Sequence, residues 1–187
     1  MRKTLLFLTL LLSGFIIYSG KAYSQTKKNI TNIGPIDVFL DSVRTSMIGK
    51  EFGNILFTDT ADSKFDLQSL RGNIVAINIW AYGCKPCIEE IPKLNMLVDK
   101  YKDKPVKFIS INGAGGKINF KHPSVSKDLK RINFKYMTVS TDKHLDELYD
   151  FRIIIPQHII LDKRGIVLDY FAGPKTARLD SIIGIHK

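Results

Sequence analysis

The chain's two cysteines stand three positions apart, in Trp80-Ala-Tyr-Gly-Cys84-Lys-Pro-Cys87. Two thiols in a four-residue frame, with no third cysteine to pair with either, point to the reversible making and breaking of one disulfide. A bridge that stabilises a fold gains most by closing a long loop of the unfolded chain. One that spans two residues closes almost nothing. Cys84 and Cys87 are therefore read as a working dithiol rather than a staple.

The flanking residues predict how the pair is held. Asn73 to Trp80 is apolar and β-branched, as a buried central strand would be. Ile88, Ile91, Leu94, Leu97, Val98 and Tyr101 then recur at three- and four-residue spacing, which predicts a helix over 85–102 with one apolar face. Cys84 falls at or just before its first turn, and Cys87 one turn further in. Unpaired N–H groups and the positive end of the helix dipole favour a thiolate there, and Lys85 adds a cation beside it. Such settings lower a cysteine pKa from about 8.5 to roughly 3.5–7.5. Cys84 is the candidate nucleophile. Cys87, turned towards the core, is the resolving thiol.

Other chemistries fit less well. A lone CxxC is half of a zinc site, but structural zinc takes four ligands. His122, His144, His158 and His186 are scattered singly with no paired spacing, so no metal is expected. Glu89 and Glu90 follow the second cysteine closely, and ordinary burial statistics put such a pair on a solvated helix face. Gly113-Ala-Gly-Gly-Lys117 lacks a phosphate loop's first glycine and its final hydroxyl, because those places hold Ile111 and Ile118.

The ends and the charge bound the setting. Residues 1–24 read as an export signal, with Arg2 and Lys3, the uncharged run Leu5 to Ile17, and the small-residue stretch Ala22-Tyr23-Ser24. The run is short beside the ~20 residues of a spanning helix. Cleavage after Ser24 is expected, with a retained N-terminal anchor as the alternative. Residues 25–48 read as a polar tether and a short extension around Ile36, Val38, Phe39, Leu40 and Val43; residues 49–187 read as one domain. The formal net charge is +10, and residues 100–135 carry ten basic side chains against Asp103 and Asp128. A transient contact with an acidic partner or membrane surface is one reading of that stretch. A solvated face that keeps the protein soluble is the commoner one. Nucleic acid is not expected as the partner of an exported protein.

Further along, Ile55 to Thr58 reads as a strand and Phe65 to Gly72 as a strand end with a helical turn. Val106 to Asn112 and Tyr136 to Ser140 read as strands, Ser124 to Ile132 and His144 to Asp150 as helices. Ile153 to Leu161 and Ile166 to Phe171 read as a hairpin about Asp162-Lys-Arg-Gly165, and Lys175 to Ile185 as a closing helix. Strands alternating with helices argue for an α/β chain with a mixed sheet covered on both faces.

Five features together carry a resemblance. They are the Trp80-Ala-x-x-Cys84-Lys-Pro-Cys87 box, Pro92 in the next helix, the Ile155-Pro156 step, the Asp162-Lys-Arg-Gly165 hairpin and the Gly49-Lys-Glu-Phe52 entry. Through them residues 49–185 resemble the thioredoxin-like superfamily, and within it the exported TlpA/ResA type of thiol–disulfide oxidoreductase. The resemblance implies a thioredoxin-like fold and a redox-active Cys84–Cys87 disulfide in place of any cofactor. It implies reduction of protein disulfides outside the cytoplasm by a monomer, resupplied by a membrane thiol electron donor. Its substrates would be exported cysteine-containing proteins, apocytochrome c among them. Oxidation or isomerisation by the same site is the nearest alternative; a CxxC metal-binding or delivery module is one of another class.

The resemblance also assigns site-shaping roles to Trp80, Lys85, Pro86, Ile155 and Pro156. On residues alone, Pro156 marks a strand start or an edge, and only about 5–6% of X–Pro bonds are cis. The resemblance implies a cis bond set against the disulfide. That would turn the Ile155 backbone outward to pair with an extended substrate, and would keep a further metal-capturing side chain out of the site. Three positions depart from the pattern. Asn78 stands where thioredoxin has a buried, titrating aspartate, so proton handling for Cys87 falls to water or another carboxylate. Gly83 replaces a tryptophan and opens the rim. Lys85 stands where the ResA type often has glutamate.

Overall fold

The computed structural model describes residues 34–113, 118–142 and 154–187. The segment read as an export signal and the helix expected at 144–150 lie outside the described residues. The chain divides into two units after Asp41. The first contributes the opening of helix α1 (Pro35–Met47) to the description, where the Gly34 N–H donates to Asp37 Oδ2 at 3.3 Å. The second begins with the rest of α1, which buries Val43 and Met47, and contains the entire sheet.

That sheet has seven strands: β1 (Leu56–Asp59), β2 (Lys64–Asp66), β3 (Ile74–Trp80), β4 (Val106–Asn112), β5 (Met137–Thr141), β6 (Gln157–Leu161) and β7 (Val167–Ala172). Their spatial order is β2-β1-β5-β4-β3-β6-β7. The β3–β4 and β4–β5 pairs are parallel and the rest antiparallel. Parallel neighbours need crossover connections, supplied by α2 (Lys85–Lys100) and α3 (Pro123–Ile132). Helix α4 (Thr176–His186) closes the chain. Among the described residues the architecture is α/β, a mixed seven-stranded sheet with four α-helices.

β3 is the strand the site depends on, and all seven of its residues are buried. On one face Ile74 and Ala76 pack with Leu94, Leu97 and Tyr101 of α2 and with Leu179 and Ile183 of α4. On the other, Val75, Ile77 and Ile79 are 3%, 1% and 3% exposed, so both faces of the strand are covered. Truncating a buried leucine such as Leu94 to alanine in this layer would cost about 2–5 kcal/mol. One cross-strand row interrupts the apolar layer: Thr138, Ser110, Asn78 and His158 stand in register from β5 to β6. Ser110 and Thr138 satisfy each other through a 2.9 Å hydroxyl pair. The other half of the row serves the site.

Element boundaries follow the sequence pattern to within a residue or two, with one instructive exception. The strand expected over 153–161 begins at Gln157, because Pro156 has no N–H to give a ladder. Helix α2 runs through Pro92 to Lys100, with Tyr101 as its C-cap. The Asp162–Gly165 turn forms as expected: Asp162 Oδ1 accepts from the Arg164 and Ile166 N–H groups, and Gly165 takes φ +84°, where a side chain would be strained.

Candidate active site

Buried β3 delivers the chain to the start of α2, and Cys84 is the residue at the junction. It is the helix N-cap, and its sulfur accepts the Cys87 N–H at 3.2 Å. Cysteine therefore occupies the position at which serine or aspartate usually meets the free N–H groups. Pro86 sits in the first turn, where a missing N–H costs nothing. Cys84 and Cys87 are joined by a disulfide, with S–S 1.96 Å and Cα–Cα 5.3 Å. Cys84 is half-buried and Cys87 buried at 2% exposure. Only the first sulfur is open to an incoming partner.

Two neighbours shape the approach to Cys84. The Ile155–Pro156 peptide bond is cis, and the Ile155 carbonyl oxygen lies 3.7 Å from Cys84 Sγ. On the other side Trp80, fully buried, meets Tyr82 and Phe134 edge-on at 5.1 and 5.8 Å between ring centroids. Trp80, Cys87 and Ile91 form a small apolar cluster, with Tyr82, Ile88, Ile132 and Ile155 packed against it.

Behind the dithiol lies a group that general burial statistics misplace. Glu89 is on the solvated face as expected, but Glu90 is 3% exposed. One helical turn after Cys87, it lies on the same buried side of α2. Its Oε1 accepts the Thr176 hydroxyl at 2.9 Å, and its Oε2 stands 3.1 Å from His158 Nε2. His158 is 1% exposed and stacks on Phe171 at 4.9 Å. Its Nδ1 is 3.4 Å from Asn78 Nδ2, which also donates to the Gln157 carbonyl at 3.4 Å. The position where a titrating aspartate was missing thus opens onto a buried carboxylate from the neighbouring helix.

A half-exposed sulfur at a helix N-cap, a buried partner sulfur and a backbone carbonyl beside them form a site for exchanging disulfides. The comparisons agree. The AhpC/TSA family model matches residues 48–170. The chain belongs to the AhpC/TSA family. It is 33% identical over 130 residues to the thiol-disulfide oxidoreductase ResA of Bacillus cereus, covering 69% of this chain and 72% of that one. It is 25% identical over 130 residues to the thioredoxin-like protein YneN of Bacillus subtilis, with 70% and 74% covered. A structure from Chlorobium tepidum, assigned as the thiol:disulfide interchange protein DsbE, superposes with TM-score 0.63 at 20% identity, over 74% of this chain and 96% of that one. At that identity the superposition establishes a thioredoxin-like fold. The protein is a thiol–disulfide oxidoreductase whose redox group is its own disulfide.

Within this oxidoreductase the structure gathers Trp80, Cys84, Lys85, Pro86, Cys87, Ile155 and Pro156 around one helix start. They differ in exposure. The Lys85 ammonium lies 3.8 Å from Glu89, with side chains 85% and 65% exposed, so solvent screens both. Two clefts flank the first turns of α2. One, of ≈ 400 Å³, is lined by Pro86, Glu89, Glu90, Lys93, Lys175 and Thr176 among others. The other, of ≈ 660 Å³, has Tyr82, Ile88, Pro92, Arg131 and Ile132 in its walls. Among the described residues no three His, Cys, Asp or Glu side chains gather to hold a metal. The basic residues described between 100 and 135 are all exposed, and Lys100, Lys121, Arg131 and Lys135 each meet an aspartate.

Sequence reasoning missed Glu90, His158 and Thr176. A signal existed for two of them. Glu90 is three residues after Cys87 and four before Leu94, on the apolar stripe itself, and His158, with Gln157 before it, interrupts an otherwise apolar run. A polar residue at a position that periodicity buries must find a partner.

Proposed function

We propose that the chain is an extracytoplasmic protein-disulfide reductase. The direction rests on one observation: one turn after Cys87, on the buried side of α2, stands the Glu90 carboxylate, 3% exposed. The carboxylate meets the Thr176 hydroxyl and His158 Nε2, and a buried negative charge opposes thiolates beside it. The reduced pair is disfavoured relative to the disulfide, which makes the couple a donor of electrons. Lys85 and the helix start act in the opposite sense. Lys85, 85% exposed, is screened, and the buried charge outweighs it.

In the forward reaction a substrate segment lies along the Ile155 backbone as an added strand, which brings its disulfide to Cys84. The Cys84 thiolate attacks one substrate sulfur, and the other leaves as a thiolate that takes a proton from water. Cys87 then loses its proton to Glu90 and attacks Cys84 Sγ. The substrate's second sulfur departs, and Cys84–Cys87 is oxidised by the two electrons the substrate gained. Glu90 returns the proton to water through the ≈ 400 Å³ cleft that it lines. A thiol electron donor in the membrane resets the disulfide. The signal-like residues 1–24 support export, and exported cysteine-containing proteins, apocytochrome c among them, are the substrate class. Among the described residues no helix is long and apolar enough to cross a membrane.

Equilibration of the protein with glutathione buffers, read by alkylation of Cys84 and Cys87, tests the direction. The couple is expected nearer thioredoxin's roughly −270 mV than the roughly −120 mV of a strong oxidant. A value above about −180 mV, the range of an isomerase, overturns it.

A further inference from the structure

We propose that His158 is a positioning residue of the redox site: donating from Nε2, it holds the Glu90 carboxylate in place to take the Cys87 proton, and so shapes how resolution by Cys87 depends on pH. The inference rests on the reading of Cys87 as the resolving thiol. The proton's place follows from the hydrogen-bond chain. The Gln157 carbonyl can only accept, so the Asn78 atom 3.4 Å from it is the amide nitrogen. The same nitrogen is 3.4 Å from His158 Nδ1, which must then accept. A ring that accepts at Nδ1 carries its proton at Nε2, and Nε2 lies 3.1 Å from Glu90 Oε2. A doubly protonated ring would set two donors against each other at Asn78. Backbone register fixes the chain, since Asn78 pairs with His158 and His158 with Phe171 across three strands.

The surroundings make the histidine's bond count. Glu90 and His158 side chains are both 1% exposed, so water reaches neither easily, and Thr176 is the carboxylate's other donor. From the residue just before β5 comes Tyr136, a phenol that burial, and then the Glu90 charge, push well above its ordinary range. From α4 comes Arg178, over the Phe171 ring at 4.8 Å but already paired with Asp169 of β7 at 2.6 Å. From α2 come Cys87 and, at the mouth of the cleft, Lys93 and Glu89. No cation reaches the carboxylate among these contacts, so the His158 N–H is one of its two supports.

Losing that donor leaves the carboxylate a poorer acceptor for the Cys87 proton, most of all at acid pH. The test uses the full chain, reduced, with dithiobis(nitrobenzoate) as probe. Cys84 releases one nitrobenzoate thiolate on forming the mixed disulfide, and Cys87 displaces a second. His158→Leu is expected to move the acid limb of this second phase up by about one pH unit, with about tenfold slower release on that limb and an unchanged alkaline plateau. His158→Gln keeps an N–H donor and should return the limb to its place. In a Glu90→Gln background His158→Leu should move nothing. Slowing equal at every pH, an unmoved limb, or a shift that persists without Glu90 overturns the proposal. Because the probe is a small disulfide, failure to reduce proteins would sink the proposed reductase and leave this measurement standing.

Discussion

Two side-chain pairs are built on the adjacent carboxylates Glu89 and Glu90, each within about one turn of Cys87. Lys85 and Glu89 stand 3.8 Å apart with side chains 85% and 65% exposed. His158 and Glu90 stand 3.1 Å apart with both at 1%. The first pair is easily noticed in the sequence, being four residues apart on one helix. The second joins residues 68 positions apart and is visible only in the fold. At equal distance, a charge in a low-dielectric interior acts several times more strongly than one in water. The less conspicuous pair should therefore govern the chemistry, and the conspicuous one should adjust it.

The sharpest way to break that comparison is to neutralise each carboxylate in turn. Glu90→Gln keeps the shape and an acceptor for His158 but removes the base. It is expected to slow resolution of the Cys84 mixed disulfide by about 100-fold near neutral pH, the lower end of what a positioned base contributes. It should also raise the reduction potential. Glu89→Gln should change either quantity by less than about twofold. Stopped-flow thiolate release and glutathione titration of the two variants read both effects. Equal behaviour would mean that burial does not distinguish the pairs.

The same contrast explains what the sequence could reveal. The dithiol, its helix start and the proline step are local patterns: Cys84 and Cys87 share four residues, and the Ile88-to-Tyr101 spacing needs no partner to be seen. Strand β3 was legible because a strand buried on both faces is apolar throughout. Pro156 was legible as a site, but its residues were also assigned to a strand, and only the absent N–H decides where that strand begins. Glu90 and His158 were hidden for a different reason. Each alone breaks the apolar pattern of its element, and the break makes sense only once β6 lies antiparallel to β3 and α2 crosses above them. Asn78 was seen as a loss of proton-handling capacity. It instead marks one end of the chain that restores it.

A smaller effect is expected at the exposed pair. Lys85→Glu exchanges a positive for a negative charge in the first turn of α2, where one charge is worth about 0.3–1 kcal/mol. The Cys84 thiolate should become less favourable by about one pH unit at low salt, and the reduction potential should fall by roughly 20 mV. Thiolate absorbance against pH and glutathione titration measure the two. Most of the change should vanish near 1 M salt, where the screening length is about 3 Å. The Glu90→Gln effect should persist there and has the opposite sign on potential. A Lys85→Glu effect that resists salt would show that Lys85 acts through a contact rather than through its field.

The least effect on chemistry should come from a third carboxylate, Asp180 of α4, which meets the C-terminal end of α2. Asp180 accepts from Lys100 at 2.7 Å and from the Tyr101 hydroxyl at 2.7 Å, and its side chain is 33% exposed. The Lys100 bond first, and then the Tyr101 bond, hold its carboxyl below the usual range against the opposing pull of burial. A carboxylate depressed in the folded state stabilises above its unfolded value and ceases to do so as pH falls through the folded one. Asp180→Asn should thus lower the melting temperature by about 2–4 °C near pH 7, with the difference shrinking as the pH drops below about 3.9. The potential and the resolution rate should not move, because the dithiol lies at the opposite end of α2. Thermal melts across pH, paired with one glutathione titration, separate the outcomes. A changed potential would mean that charge at the C-terminal end of the helix reaches the cysteines, and that exposure and distance do not rank these three carboxylates.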